Sequence, residues 1–323
     1  VRRRSLAILS TAAIAVLALA GCSSSDSSDA DATATPSASA AADLCDAAAD
    51  SGDAIDGVEV SGDFGSPAEV TFDAPLDVTD IQRKVITEGE GDPLTAGEYI
   101  DYAAVVYDAD SGEQLGSEGY EEASSLPAPV AADNIFGMSL GCATPGTRVA
   151  FTVPSQTSSS DGTTTPNLVY VMDFLDTART AAWGEEQEPQ DGFPTVELAD
   201  DGTPSVTIPD GFETPDTTEL EQLKQGDGIT VEDGDTVFVQ YLGVQTSDGT
   251  EFDSSWSRGT PTSFATSGVI EGFTKALVGQ KVGSQVLAVI PPSEGYGDSD
   301  SSDLQDETLV FVVDILGTMR AAS

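Results

Sequence analysis

Histidine is absent from this chain of 323 residues, and cysteine, methionine and tryptophan together account for only a few positions. Without imidazole, and without a CxxC pair or a cysteine/aspartate group at ligand spacing, the sequence offers no metal site, and no cofactor is expected. No activated nucleophile is visible either. Basic residues are scarce, with Lys+Arg 12 against Asp+Glu 56 and a formal net charge of −44. A surface this acidic repels nucleic acid and anionic lipid headgroups, so nucleic acid is excluded as a partner. The acids are spread along the chain instead of forming a block, which is the pattern of a solubilising surface, and no catalytic meaning attaches to them. The alternating strand–helix halves of a solute-binding transport protein are missing as well.

What is present begins with Arg2, Arg3 and Arg4, followed by an apolar stretch from Leu6 to Ala20 that stops at Gly21-Cys22. The stretch is shorter than the roughly 20 residues that cross a bilayer, so residues 1–21 are expected to be a signal peptide. Leu19-Ala20-Gly21-Cys22 resembles the bacterial lipobox. That resemblance implies that Cys22 is acylated and becomes the first residue of an exported chain anchored to the outer face of the cell membrane. An ordinary secretory signal with an incidental cysteine is the alternative. Serine, aspartate and alanine dominate the following segment, so residues 22–50 are expected to be a tether unable to bury enough surface to fold. If Cys22 carries lipid, Cys45 and Cys142 remain, and outside the cytoplasm they are expected to pair; two thiols that are merely buried remain the other possibility.

The rest of the chain exceeds what one hydrophobic core usually takes, and it repeats itself. GEYIDYAAVVYDADSGEQL at 97–115 matches GDTVFVQYLGVQTSDGTEF at 234–252, with a small insertion expected in the first copy. PGTRVAFTVPS at 145–155 matches VGSQVLAVIPPS at 282–293, and NLVYVMDFLD at 167–176 matches TLVFVVDILG at 308–317. Three blocks in the same order indicate a tandem duplication. Even the lead-in segments 69–78 and 205–214 correspond. The expected boundaries are a first domain at 51–180, a proline-, acid- and glycine-rich linker at 181–194, and a second domain at 195–320.

In the second copy Val237, Val239 and Tyr241 alternate with Phe238 and Gln240, and a Ser247-Asp248-Gly249 turn leads into Thr250 to Asp253, the pattern of a hairpin. Val286 to Ile290 and Leu309 to Ile315 read as central strands. Ile270, Phe273, Leu277 and Val278 recur at helical spacing between Gly268 and Gly279. Each copy is therefore expected to be an α+β unit, a curved antiparallel sheet wrapped on one short helix. Aromatic residues punctuate the strands, and Asp253 directly follows Phe252, which points to an aromatic-lined pocket.

Several of these segments together resemble one family. Val239-Gln240-Tyr241-Leu242-Gly243, Asp248 to Ser255, Val269 to Phe273, Gly279 to Gly283, Tyr296-Gly297 and Thr308 to Phe311 follow the order and spacing of FKBP-type peptidyl-prolyl cis-trans isomerases, across residues 218–318. The resemblance implies two tandem FKBP-like domains, the first degenerate; the alanine- and aspartate-rich usage with few lysines is compatible with a high-GC Gram-positive bacterium. It implies Phe273 as the pocket floor, where the family most often has tryptophan, and Tyr241, Phe252, Phe264, Val269 and Phe311 as walls. The Ile270 N–H and the Tyr296 hydroxyl would meet substrate carbonyls, and Asp253 would hold the polar rim. The implied activity is isomerisation of X-Pro bonds in secreted or cell-envelope polypeptides, and the alternative is a non-catalytic peptide-binding surface lipoprotein.

Two departures stand out. Between Tyr296 and Thr308 the chain carries DSDSSDLQDE, where Leu304 or Asp303 would stand over the pocket. In the first copy Tyr102 is expected to keep the strand tyrosine, while Leu115-Gly116 replaces the Phe-Asp pair. The helix there is expected to shorten to about Ile135 to Gly141, with only Phe136 and Met138 near the floor.

Overall fold

The computed structural model describes residues 43–158, 162–297, 299 and 302–321; the expected signal peptide, Cys22 and the expected tether up to residue 42 lie outside the described residues. In the first half the elements are α1 (Leu44–Ala47), α2 (Asp53–Asp56), β1 (Glu59–Ser61), β2 (Glu69–Thr71), β3 (Arg83–Thr87), β4 (Tyr99–Asp108), β5 (Gln114–Glu118), β6 (Ala128–Pro129), α3 (Ile135–Leu140), β7 (Arg148–Val153) and β8 (Leu168–Thr177). The second half supplies β9 (Glu185–Glu186), β10 (Thr195–Leu198), β11 (Pro204–Thr207), β12 (Glu219–Gln225), β13 (Thr236–Gln245), β14 (Glu251–Ser254), α4 (Ser255–Arg258), β15 (Thr262–Ala265), α5 (Glu271–Leu277), β16 (Gln285–Ile290) and β17 (Leu309–Met319).

Successive side chains of a strand point to opposite faces, and the long strands here bury both sets. On one face of the second sheet Val237, Val239, Tyr241, Val286, Ala288, Ile290, Phe311 and Val313 pack with Phe273, Ala276 and Leu277 of α5. On the other face Leu242, Val244, Leu287, Val289, Val310 and Val312 meet Val196, Val206, Ile208 and Phe212. The antiparallel hairpin β10–β11 thus covers the face that the helix leaves open. The first sheet repeats the arrangement, with α3 on one face and the hairpin β1–β2 on the other. The lead-in segments that match in sequence are parts of these two hairpins.

The second sheet runs β14-β13-β17-β16-β12-β9, with β15 also on β13, and the first runs β3-β7-β8-β4-β5, with β6 on β4. Their ladders agree residue by residue. Val239 pairs with Ile315 as Tyr102 pairs with Phe174, and Tyr241 pairs with Val313 as Ala104 pairs with Met172, each couple following a bulge at the same place. This corrects two expectations. The copies align here without an insertion, and Ala104, not Tyr102, holds the position of Tyr241. Tyr102 lies two residues earlier on the same face, so a matching residue type misled where the ladder does not.

Three further boundaries differ from expectation. The folded region starts by residue 43 instead of 51: Asp43 caps α1, accepting from the Cys45 N–H at 2.9 Å, Leu44 is 2 % exposed, and Cys45 is joined to Cys142 across a Cα–Cα distance of 4.7 Å. The stretch 181–194 is docked instead of free. Gly184 N–H donates to Gly283 O at 2.9 Å, β9 pairs with β12, and Gln187 N–H donates to Leu223 O at 2.9 Å. Its charged side chains, Glu185, Glu186, Glu188 and Asp191, stay in water, while Ala182, Trp183 and Phe193 pack inward and the backbone satisfies an open sheet edge. The helix of the second copy is shorter than Gly268 to Gly279, because Thr266–Gly268 form a separate 3-10 turn and Ile270 is already extended. The two copies meet through Tyr99 and Phe238, whose rings lie 5.2 Å apart, together with Leu126, Ala178, Trp183 and Leu316.

Each last strand buries an aspartate at the same register. Asp173 receives Arg148 through two bonds of 2.5 and 2.7 Å, and the same guanidinium donates to the carbonyls of Gly62, Asp63 and Ser66, fastening the β1–β2 turn to the sheet. Asp314 instead accepts from Gln285 at 2.7 Å and from the Ala182 N–H at 2.8 Å, and burial raises its pKa. Removing one partner of a buried ion pair strands the other charge. Arg148→Met is expected to cost about 3–5 kcal/mol in urea unfolding, and adding Asp173→Leu to recover most of it; equal stabilities for all three proteins would contradict this.

Candidate functional site

The concave face of the second sheet carries a cavity of about 410 Å³, lined by Tyr241, Phe252, Asp253, Phe264, Gly268, Val269, Ile270, Phe273, Tyr296 and Phe311. The fold brings together all nine residues singled out in the sequence, from β13, β14, β15, α5, β17 and two loops. Gly268, on the 3-10 turn, is an addition.

Phe273 is 4 % exposed and forms the floor. Its ring meets Tyr241 at 5.9 Å, Phe264 at 6.1 Å and Phe311 at 5.0 Å, each edge to face. Phe252 stands edge-on to Phe311 at 5.3 Å. Aromatic quadrupoles favour this arrangement over stacking, and rings set at right angles leave a concave space that stacked rings would fill. Gly243 lies beneath Phe252 and Phe311, where a Cβ would come within 2.7 and 2.8 Å of those rings. A side chain at 243 would push the wall into the cavity.

The wall has one polar corner. Tyr241 donates its hydroxyl to Asp253 Oδ2 at 2.5 Å, Arg258 Nη2 donates to the Tyr241 hydroxyl at 2.8 Å, and Arg258 Nη1 pairs with Asp253 Oδ1. The guanidinium also sits 5.4 Å from the Tyr241 ring centroid. Burial, reinforced by the bond to Asp253, pushes the Tyr241 phenol up to about 12, so it stays neutral. The local sequence builds this corner. Ser254 caps α4 by accepting from the Ser257 N–H, and Gly259 ends the turn with φ +76, which places Arg258 over the ring. Arg258 was not foreseen from sequence; its signal lies in the short Ser254-to-Gly259 turn directly after the Phe-Asp pair.

Two donors are left over. Neither the Ile270 N–H, at the extended residue before α5, nor the Tyr296 hydroxyl has a hydrogen-bond partner among the described residues. Burial, then the charge of Asp253, raises the Tyr296 pKa. The loop that presents Tyr296 is fastened by Glu294, whose carboxylate pairs with Lys275 of α5 at 2.7 Å and accepts from the Thr218 N–H at 2.9 Å. Gly297 then turns back so closely that a Cβ would fall 2.5 Å from Pro292 O. Of the two candidates in the acidic segment, Leu304 packs on the core beside Tyr296, and Asp303 is exposed.

The first sheet has no such constellation. Its ladder puts Ala104 where Tyr241 stands, Gly116 where Asp253 stands, Ala128 where Phe264 stands and Tyr170 where Phe311 stands. Leu115, in the place of Phe252, is 50 % exposed. Counting back from β7 and β16, Phe136 falls at the Phe273 position, so an aromatic is present at the floor after all. Tyr102 packs against it at 5.1 Å and donates to Glu118 at 3.1 Å. Burial raises the pKa of both Tyr102 and Glu118. Tyr170 stacks flat on Phe151 instead of standing on edge.

The chain matches the family model described as FKBP-type peptidyl-prolyl cis-trans isomerase over residues 228–316, wholly within the second copy. An FK506-binding protein of Streptomyces anulatus is 39% identical over 118 residues, which cover 35% of this chain and 94% of that one. A probable FK506-binding protein of Corynebacterium glutamicum is 36% identical over 114 residues, 35% of this chain and 96% of that one. FkpA, described as an FKBP-type peptidyl-prolyl cis-trans isomerase, from Escherichia coli K12 is 41% identical over 113 residues, 34% of this chain and 42% of that one.

Lys275, before the Thr218 N–H, holds the Glu294 carboxyl down at about 2 from its ordinary 4.5. A depressed carboxylate stabilises the folded loop fully above its unfolded pKa and loses that effect as pH falls through the folded value. Amide protection of residues 293–297 is therefore expected to hold steady from pH 7 to about 5 and to decline between about 4.5 and 2. Glu294→Gln should lower protection at every pH above that window; a wild-type loop that loosens already near pH 6 would contradict the assignment.

Proposed function

The chain belongs to the FKBP-type peptidyl-prolyl cis-trans isomerase family, and on that premise we propose that its isomerase activity resides in the aromatic cavity of the second sheet and acts on exported polypeptides. The convergence of five elements and two loops on one edge-to-face aromatic cavity, with two unpaired donors at its rim, is the observation that carries this reading.

Rotation about an X-Pro bond faces a barrier of roughly 20 kcal/mol because the C–N bond has partial double-bond character. At the twisted transition state that resonance is lost and charge separation across the amide falls. A dry apolar wall favours the less polar twisted form over either planar one, so the cavity stabilises the transition state differentially. Phe273, Phe311 and Tyr241 receive the proline ring and exclude water. The Ile270 N–H and the Tyr296 hydroxyl donate to carbonyls of the flanking chain and hold it in a turn. Asp253 and Arg258 keep the Tyr241 hydroxyl engaged, so that its ring presents only its face. Phenylalanine at 273 supplies the shape of the floor without an indole N–H, and shape is what the step uses.

The first copy, in this reading, is a degenerate FKBP-like domain without isomerase activity, because Ala104, Gly116 and Ala128 remove the wall and the polar corner. Export and lipid anchoring through Cys22 follow from the lipobox resemblance and agree with the use of cysteine at 45 and 142. Metabolic labelling with a fatty acid should mark the wild-type chain and leave Cys22→Ala unmarked; label on both would remove the anchor.

For the full chain acting on a proline tetrapeptide, Phe273→Ala is expected to lower the catalysed rate by about tenfold or more. Tyr296→Phe removes one neutral hydrogen bond, about 0.5–1.5 kcal/mol, or roughly two- to tenfold. Phe136→Ala should leave the rate unchanged. Loss of rate in Phe136→Ala with retention in Phe273→Ala would move the activity to the other copy.

A further inference from the structure

The duplication leaves one edge covered in the second sheet and open in the first. β12 is flanked by β9, with Glu186 opposite Lys224 and Glu185 opposite Gln225. Its counterpart β3 ends the first sheet and, among the described residues, pairs with β7 alone. Thr87 faces Arg148 as Lys224 faces Gln285, so Thr87 and Glu88 stand where β9 is received in the other copy.

The chain before β3 crosses only its beginning, where the Arg83 N–H donates to Asp50 O at 3.0 Å. On the other side the Gln82 carbonyl accepts from the Thr152 N–H beside β7. Backbone groups alternate in direction along a strand, so the N–H and C=O of Val85 face outward, like the Arg83 N–H. Val85 is 40 % exposed, a β-branched apolar residue on an unprotected edge, a feature that natural sheets usually blunt.

Two cavities meet at that residue. One of about 480 Å³ lies between β3 and β1, with Val60 and Ile86 among its walls; among the described residues β1 likewise has a single strand partner. The other, about 350 Å³, lies beside the Cys45–Cys142 bridge and Glu88. An open backbone edge flanked by side-chain cavities is the arrangement by which sheets take up an extended peptide, the backbone giving affinity and the cavities alternate side chains.

Charge indicates what kind of segment fits. Arg83 and Lys84 are engaged by the carbonyls of Leu140 and Val58 at 2.7 and 3.2 Å. The exposed charges beside the cleft are Glu59 and Glu88. Where the second copy meets an acidic strand with Lys224, the first has threonine followed by an acid.

We propose that the open edge of β3 is a peptide-binding site that takes one extended, basic segment of an unfolded chain by strand addition. A paired position must supply an N–H, so the site holds proline-free sequence, complementary to what the aromatic cavity takes.

The test uses the full chain and a short labelled peptide of alternating lysine and valine without proline, with a control in which glutamate replaces lysine. Exchange of the Val85–Glu88 amides is expected to slow by about tenfold with the lysine peptide. Val85→Pro, which removes the outward N–H, and Val85→Lys, which keeps the strand and repels the peptide, should each weaken binding by about tenfold. The second variant keeps the test standing if proline disturbs the strand. Unchanged exchange at 85–88, equal binding of the glutamate control, or affinity that falls with Phe273→Ala and not with the Val85 variants would overturn the proposal.

Discussion

A buried phenol hydroxyl is costly to leave unpaired, and the second sheet satisfies the one at Tyr241. The ring belongs to the cavity, and the hydroxyl belongs to Asp253 and Arg258. An unpaired buried hydroxyl would cost about 1–3 kcal/mol and would turn the ring to seek water. With the corner closed, the ring is fixed edge to face with Phe273, and Phe311 and Phe264 fall into place around it. Gly243 and Gly297 serve the same end from below and above, since a side chain at either would displace a wall or the loop that carries Tyr296. The cavity is thus held open by contacts among its own walls, backed from outside by Arg258, Gly243 and Gly297.

The same sheet architecture is used twice with different outcomes. Hairpins β1–β2 and β10–β11 cover the faces opposite the helices, so both sheets are buried on two sides and their inner strands are apolar almost throughout. A buried aspartate on the last strand anchors a neighbouring segment in each copy, the β1–β2 turn through Arg148 in one and the 182 region directly in the other. What differs is the concave face. Tyr102 and Phe136 pack on each other where the second copy keeps a space, and small residues replace the walls.

Much of this was legible in the sequence, for reasons that differ by residue. The nine cavity residues could be named because several short segments follow the order and spacing of the FKBP-type family, and that resemblance implies a place for each of them. The correspondence of β4, β7 and β8 with β13, β16 and β17 was legible because their apolar runs are long. Arg258 was not visible, since its role depends on a single helical turn that folds it back over a ring seventeen positions away. Tyr102 was misplaced because identity of residue type was weighed above register. The segment 181–194 looked like a linker because composition reports which side chains face water and says nothing about whether the backbone pairs. The two hairpins were matched to each other but given no place, because short strands of three or four residues carry too little alternation to show which face they cover.

The account rests on the proline ring entering the cavity of the second sheet. The most direct measurement is the set of nuclear Overhauser contacts between the proline δ-protons of a bound peptide and the aromatic rings of the full chain. Contacts to Phe273, Phe311 and Tyr241 are predicted. Contacts to Phe136 and Tyr102, with none to the second copy, would contradict it.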